Sequence, residues 1–268
     1  MNPGELLDVG VHLEAWTAMV LLFGIRPAVA FLVLPATTEP AMTPSIRYLV
    51  CAVFSLHVAA GASPAAFMAL AAPEHLLLVA CREALIGFVI GFAASQGFWV
   101  AQSIGAVIDN LAGYNNVQLT NPSSSEQNTP VSDLMLQLFV AVFWSSGGML
   151  LLLGVIGQTY LWWPVLQAVP TWPAFPEAFA TLQLTHLMRS VVSLSMPILF
   201  LLAFIDVGLG LVARAAKNAD TSPLGTPLKC ATALLALVLF SSVFLEDIRG
   251  YLALADLAAV IGKWRSLS

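Results

Sequence analysis

Charge is what this chain has least of. Only 9% of its 268 residues are Asp, Glu, Lys or Arg, against about 25% in an ordinary soluble chain. A soluble core cannot absorb a shortage of that size, and 59% of the residues are hydrophobic, with a mean hydropathy of +0.88. The chain therefore reads as an all-α integral membrane protein. Its net charge is −5 with no basic cluster. That argues against nucleic acid as a partner and against a polybasic lipid-binding patch.

Cysteine is nearly as scarce. Cys51, Cys81 and Cys230 lie in apolar segments at spacings that match no metal or redox motif, so they read as small buried hydrophobes. His12, His57, His75 and His186 are scattered, without a second ligand at i+3 or i+4. There is no His-Glu-x-x-His, Gly-x-Ser-x-Gly or Walker loop. No cofactor or metal is implied, and an intramembrane enzyme would lack its converging ionisable groups. The first fifteen residues carry Glu5, Asp8 and Glu14 but no Lys or Arg, the reverse of a signal-peptide n-region. No cleavable leader is expected.

What the chain does have is long apolar runs. Helical segments are expected over 15–34, 46–60, 76–108, 134–156, 184–216 and 228–248, within a single membrane-embedded domain, 1–268. The second is short of the roughly 20 residues a span needs. The third and fifth are each about 50 Å long at the helical rise, against a hydrocarbon core of about 30 Å. The third carries Arg82 and Glu83; the fifth carries Arg189, Pro197 and Asp206. Such segments suggest tilted or broken helices packed against other protein. Lys and Arg in the short loops put the amino terminus outside and the last inter-helix loop inside. Arg249, Lys263 and Arg265 then fall on the wrong side for six spans. Five spans, seven spans or an interfacial tail helix would each resolve this. The stretch "QTYLWWPVLQAVPTWPAFPE" (Gln158 to Glu177) holds three tryptophans and four prolines and reads as an extracytoplasmic loop at the headgroup level.

A few polar features stand out. Arg82 and Glu83 read as structural charges neutralised within this chain or by a neighbouring subunit. A gate or proton relay is the alternative, disfavoured because one ion pair without a chain of titratable groups relays poorly. Gly87 and Gly91, extended by Ala84 and Ser95, form a small-residue face for close helix approach. Asp206, followed by Gly208, Gly210 and Arg214, fits either a transporter's ion site or a buried or inter-subunit contact. The stretch "AGYNNVQLTNPSSSEQNTPV" (Ala112 to Val131) is a polar, proline-punctuated loop, and loops this long inside a compact protein are usually functional or disordered.

"REALIGFVIGFAASQGFWVAQSIGAVIDNLAG" followed by "NPSSSEQNTPV" resembles the signature region of the type III secretion export-apparatus T component, the family that includes the flagellar protein FliR. The matching positions are Arg82, Glu83, Gly87, Gly91, Gln102, Gly105, Asp109, Gly113 and Asn121–Pro122. "MPILFLLAFIDVGLGLVARAA" and "TPLK" extend the match through Pro197, Asp206, Gly210, Arg214, Pro227 and Lys229. Two positions depart from the pattern: the usual Asp-Pro is Asn121–Pro122, and the usual Pro-Gln is Lys217–Asn218.

The resemblance implies helical hairpins with long, broken helices, like a fusion of the R and S export-gate subunits. It implies one copy of this chain assembled with several copies of R and S in the bacterial inner membrane. Further implied partners are the U and V export-apparatus proteins, the needle and inner-rod base, membrane lipid and unfolded secreted substrates. The assembly would be a portal for those substrates, without enzymatic activity. A pore plug is implied over Gly113, Tyr114, Asn115, Asn116, Val117, Gln118, Leu119, Thr120, Asn121, Pro122, Ser123, Ser124 and Ser125. Polar contacts between helices or subunits are expected at Arg82, Glu83, Gln102, Asp109, Asp206, Arg214 and Lys229, and helix packing at Gly87, Gly91, Gly105 and Gly210. The rivals are a flagellar export-gate protein and a stand-alone secondary transporter.

Overall fold

Proline opens two of the helices. In a computed structural model that describes residues 3–62, 73–112, 119–120, 127–165, 175–215, 225, 227–236 and 238–239, the helices include α1 (Pro3–Val33), α3 (Pro73–Ala112) and α7 (Pro227–Ala236), and α2 (Pro44–Ala60) and α4 (Pro130–Ser145) each carry a proline in the first helical position. A proline in the first helical position gives up an N–H that would lack an intrahelical partner anyway. Two further helices are α5 (Gly148–Trp162) and α6 (Phe175–Ala215). The architecture is all-α; a two-residue antiparallel ladder, β1 (Leu119–Thr120) with β2 (Gln127–Asn128), is the one extended pairing among the described residues.

The helix expected over 134–156 is in fact two. Gly147 takes φ +75° between α4 and α5, a left-handed conformation that glycine adopts without steric cost. The helix expected over 76–108 runs unbroken through all 40 residues of α3. Residues 158–162, read from sequence as part of a headgroup loop, continue α5 instead. The apolar composition of Leu161 and Trp162 suits either setting, so composition did not separate them.

Three helices, α1 over Leu13–Val33, α3 over Leu76–Ala112 and α6 over Gln183–Ala215, are long and apolar enough to cross a membrane, and α4 with α5 passes the same test as a broken span. In α6 only 11% of the most apolar window is buried within the chain. Leu184, Met188, Val192, Met196, Phe200 and Phe204, spaced by four, are all exposed. Water cannot be their solvent over that length.

The described residues divide into two compact units, each considered by itself: one drawn from Met1–Ser95 and Gly147–Pro173, the other from Gln96–Ser146 and Ala174–Ala253. In the first, α1 ends in a 3-10 turn at Pro35–Thr37, and the buried Thr37 hydroxyl lies 2.5 Å from Phe31 O and 2.8 Å from Leu34 O. Those carbonyls close a helix end that would otherwise carry unpaired acceptors. Helix α2 returns against α1, with Gly24 packed on Ser55. Helix α3 runs parallel to α1: a Cβ at Gly87 would lie 2.4 Å from Arg26 O, one at Gly91 2.7 Å from Ala30 O, and Ser95 Oγ donates to Val33 O at 3.1 Å.

In the second unit the end of α3 and the start of α4 form an antiparallel hairpin. Phe98 packs on Phe139 and Phe143 with ring centroids 4.4 and 5.5 Å apart. Gly97 faces Phe139, Gly105 faces Ser132, and Gln96 Nε2 donates to Gln183 O of α6 at 2.9 Å.

Candidate functional site

A fully buried charged group anchors a polar cluster in each of the two units. The first is Arg26, in the middle of the apolar helix α1, with no exposed surface. Its Nε donates to Glu83 Oε2 at 2.8 Å, its Nη1 to Thr159 Oγ1 at 2.8 Å and its Nη2 to Trp163 O at 3.0 Å. The Arg26–Glu83 ion pair closes to 2.7 Å, and Glu83 is equally buried. The Tyr160 ring lies 4.1 Å from Arg26 Cζ, a distance at which a cation and an aromatic face attract. A guanidinium suits this place because its planar fork reaches three separate acceptors at once, which an ammonium cannot do in fixed directions.

The neighbouring proline completes the arrangement. Pro27 has no N–H, so the carbonyl of Phe23, four residues earlier, loses its helical donor. The Tyr160 hydroxyl donates to that carbonyl at 2.5 Å. One side chain of α5 thus lies over the buried cation and fills the gap that the proline opens beside it. Glu83 is shared: Arg82 Nη2 reaches its Oε1 at 3.2 Å and also donates to the carbonyls of Pro164, at 3.5 Å, and Val165. The two arginines and one carboxylate therefore fasten α1, α3, α5 and the residues just after α5. The close approach of α1 to α3 at Gly87 and Gly91 makes the pairing geometrically reachable.

The second buried charge is Asp109, near the end of α3, also without exposed surface. Its Oδ2 accepts the backbone N–H groups of Val131 and Ser132, each at 3.0 Å. These are free donors of the first turn of α4, and a carboxylate there is favoured by the helix dipole. Ser132 Oγ donates to Gln102 O at 3.0 Å. A Cβ at Gly105 would sit 2.4 Å from Ser132 Cα, so only glycine permits the approach.

A third pair lies nearer the surface. Lys229 Nζ of α7 meets Asp206 Oδ1 of α6, with side chains 21% and 52% exposed. Of the residues singled out from sequence, Arg82 thus meets Glu83, Glu83 meets Arg26, Gln102 and Gly105 meet Ser132, Asp109 meets α4, and Asp206 meets Lys229. Arg214 lies exposed in the last turn of α6. At Gly210 a Cβ would meet nothing within 4 Å, so the close packing expected there is absent among the described residues. Of the loop Gly113 to Ser125, only the backbone of Leu119 and Thr120, paired with Asn128 and Gln127, falls within the described residues; the rest lies outside them. Sequence reasoning missed Arg26, Thr159 and Tyr160. The available signal was an Arg-Pro step inside twenty apolar residues. No group of three or more His, Cys, Asp or Glu side chains capable of holding a metal occurs among the described residues.

The chain is 31% identical over 165 residues to "Yop proteins translocation protein T" of Yersinia pestis, covering 62% of this chain and 63% of that one. The match therefore spans less than two thirds of that relative's length. It is 26% identical over 195 residues to "Flagellar biosynthetic protein FliR" of Bacillus subtilis, covering 70% and 75%. It is 25% identical over 226 residues to "Surface presentation of antigens protein SpaR" of Shigella flexneri, covering 84% and 86%. The family described as bacterial export proteins, family 1, matches residues 17–254, a stretch that takes in the Arg26–Glu83 node, the Asp109 clasp and the Asp206–Lys229 pair. Over nearly its whole length, then, the chain belongs to the bacterial export proteins, family 1.

Proposed function

We propose that this multi-pass inner-membrane protein is the T component of a type III secretion export gate. In this reading one copy joins several copies of the smaller R and S subunits, alongside the U and V proteins and the needle and inner-rod base. Together they form the portal through which unfolded substrate proteins leave the cytoplasm. The chain contributes walls and a seal, and no catalysis. The loop Gly113 to Ser125 stands in the pathway as its plug: amide and hydroxyl groups bond water and a passing backbone without selecting one sequence, and prolines stiffen the loop ends.

The observation that carries the reading is the family match over residues 17–254, joined to relatives whose names concern the translocation of Yop proteins, flagellar biosynthesis and the surface presentation of antigens. The physical layout supports it. Apolar helices that bury little of themselves within the chain need other protein or lipid to cover them. The test is purification of the tagged chain from its own host in mild detergent, with mass spectrometry of what co-elutes. Two small hydrophobic partners in multiple copies support the gate; a lone active monomer or homodimer would overturn it in favour of a secondary transporter.

A further inference from the structure

One charge of α6 has no use in the clusters described above. Arg189 is exposed in the first half of that helix, and among the described residues it forms no hydrogen bond or ion pair. The helix around it is long and apolar enough to cross a membrane. A guanidinium is costly in such a setting unless it reaches the interface or meets an anion.

Two features place Arg189 at a headgroup boundary. Residues 190–205 carry no charged side chain, a run of about 24 Å at the helical rise, close to a hydrocarbon core of about 30 Å. Arg189 bounds that run at one end. Asp206 bounds it at the other and carries its own countercharge, Lys229. Helical side chains also lean toward the amino-terminal end of their helix. Arg189 therefore leans out of the apolar run, and its long stem carries the charge toward the interface.

The neighbours of Arg189 are ordered. At four-residue steps, about 6 Å apart along the axis, lie Thr185, Arg189 and Ser193, all exposed, and the same stripe continues as Pro197, Leu201 and Ile205. Beside it runs the exposed apolar stripe from Leu184 and Met188 through Val192 and Met196 to Phe200 and Phe204. The first turns of the two stripes line an open groove. From the amino-terminal end inward, the polar stripe offers a hydroxyl, a cation, a second hydroxyl and then hydrocarbon. A phospholipid presents its groups in a matching order: polar headgroup, phosphate, ester carbonyls, acyl chain. A carboxylate from another protein would use Arg189 alone and leave both hydroxyls without a role. One cation matched to one phosphate is also compatible with the absence of a basic cluster.

We propose that this groove of α6 binds a phospholipid with a net anionic headgroup, its phosphate on Arg189 and its acyl chain along Val192, Met196 and Phe200. Thr185 serves the headgroup, and Ser193 donates to an ester carbonyl. Arginine and phosphate form a charge-assisted contact that neutralises the guanidinium, whereas a zwitterionic headgroup brings a second cation to the same place. The proposal depends on α6 lying in a membrane and not on what the assembly exports.

The test uses the chain with whatever assembles around it, extracted in mild detergent and returned to phosphatidylcholine vesicles. The vesicles carry a trace of phosphatidylglycerol with a photoreactive diazirine midway along one acyl chain, and labelled peptides are located by mass spectrometry. Labelling is expected on the 188–204 face of α6. Excess plain phosphatidylglycerol should reduce it several-fold, and the same excess of phosphatidylethanolamine should not. Arg189→Leu should lower it several-fold, with Arg189→Lys retaining part of the signal. Competition on the unaltered chain decides the question should Arg189→Leu fail to assemble. Labelling that neither phosphatidylglycerol nor Arg189→Leu reduces would mean general contact with lipid and would overturn the site. Equal competition by both lipids would overturn the headgroup assignment. Absence of label on this face would overturn the proposal as well, and a carbodiimide-dependent amide between the Arg189→Lys chain and a carboxylate of another subunit would identify a protein as the occupant.

Discussion

Arg26 and Glu83, 57 residues apart in sequence, form an ion pair at 2.7 Å with neither side chain exposed. Removing one partner from such a pair leaves an uncompensated buried charge and costs about 3–5 kcal/mol. Arg26→Ala and Glu83→Ala are each expected to lower the thermal midpoint of the detergent-purified chain sharply. Arg26→Met combined with Glu83→Leu should recover part of that loss, since apolar residues of similar volume leave no stranded charge. A double variant as unstable as the two singles added together would show that the residues do not act as a pair. Arg26→Lys should also destabilise, because one ammonium cannot serve Glu83, Thr159 and the Trp163 carbonyl in their three directions.

The glycines of α3 and α6 should respond in opposite ways. At Gly87 and Gly91 an added methyl would meet backbone atoms of α1 at 2.4 and 2.7 Å, and backbone cannot yield as a flexible side chain can. Gly87→Ala and Gly91→Ala should therefore push α1 from α3, weaken the Arg26–Glu83 pair and reduce accumulation in the membrane. Gly210→Ala meets nothing within 4 Å. It should leave the isolated chain unharmed or raise its stability by about 0.5–1 kcal/mol through helix propensity. Equal effects at all three positions would contradict the close approach.

Much of this was legible in the sequence, for identifiable reasons. Helix positions followed from the apolar runs, and the Gly87–Gly91 step pointed to close helix approach because small residues one turn apart leave a flat face. Arg26 escaped notice because its partner is 57 residues distant and one arginine in an apolar run carries no periodic signal. Tyr160 was hidden for a related reason: the Trp- and Pro-rich stretch around it resembles an interfacial loop, and the carbonyl it serves belongs to Phe23. Asp109 could be singled out, but its partners are backbone N–H groups, which have no signature in a sequence. The break at Gly147 had a signal in the Ser145-Ser146-Gly147-Gly148 step, which was passed over because the runs on either side are equally apolar.

The pair of Asp206 and Lys229 separates water from lipid. Exposed in water, an ion pair contributes about 0–1 kcal/mol. Facing hydrocarbon or another subunit, the same charges have no water to return to and depend on each other far more. Asp206→Lys and Lys229→Asp alone should each depress secretion in the native membrane, and the exchange of both should restore much of it. Single variants that secrete normally would place the pair in water.

The carbonyl of Phe23 provides the sharpest internal check on the Arg26 node. Pro27 withholds the N–H that would serve it, and the Tyr160 hydroxyl takes over at 2.5 Å. Tyr160→Phe keeps the ring over Arg26 but strands a buried acceptor, which costs about 1–3 kcal/mol. Pro27→Ala restores a helical donor to the same carbonyl and competes with the hydroxyl, so alone it should gain little. Combined with Tyr160→Phe, however, it supplies the missing donor from within α1. The thermal midpoint of Pro27→Ala/Tyr160→Phe should therefore lie above that of Tyr160→Phe alone. Additive losses would mean that the proline and the tyrosine serve different ends. Rescue would establish that a residue of α5 repairs a gap in α1 directly beside its buried cation.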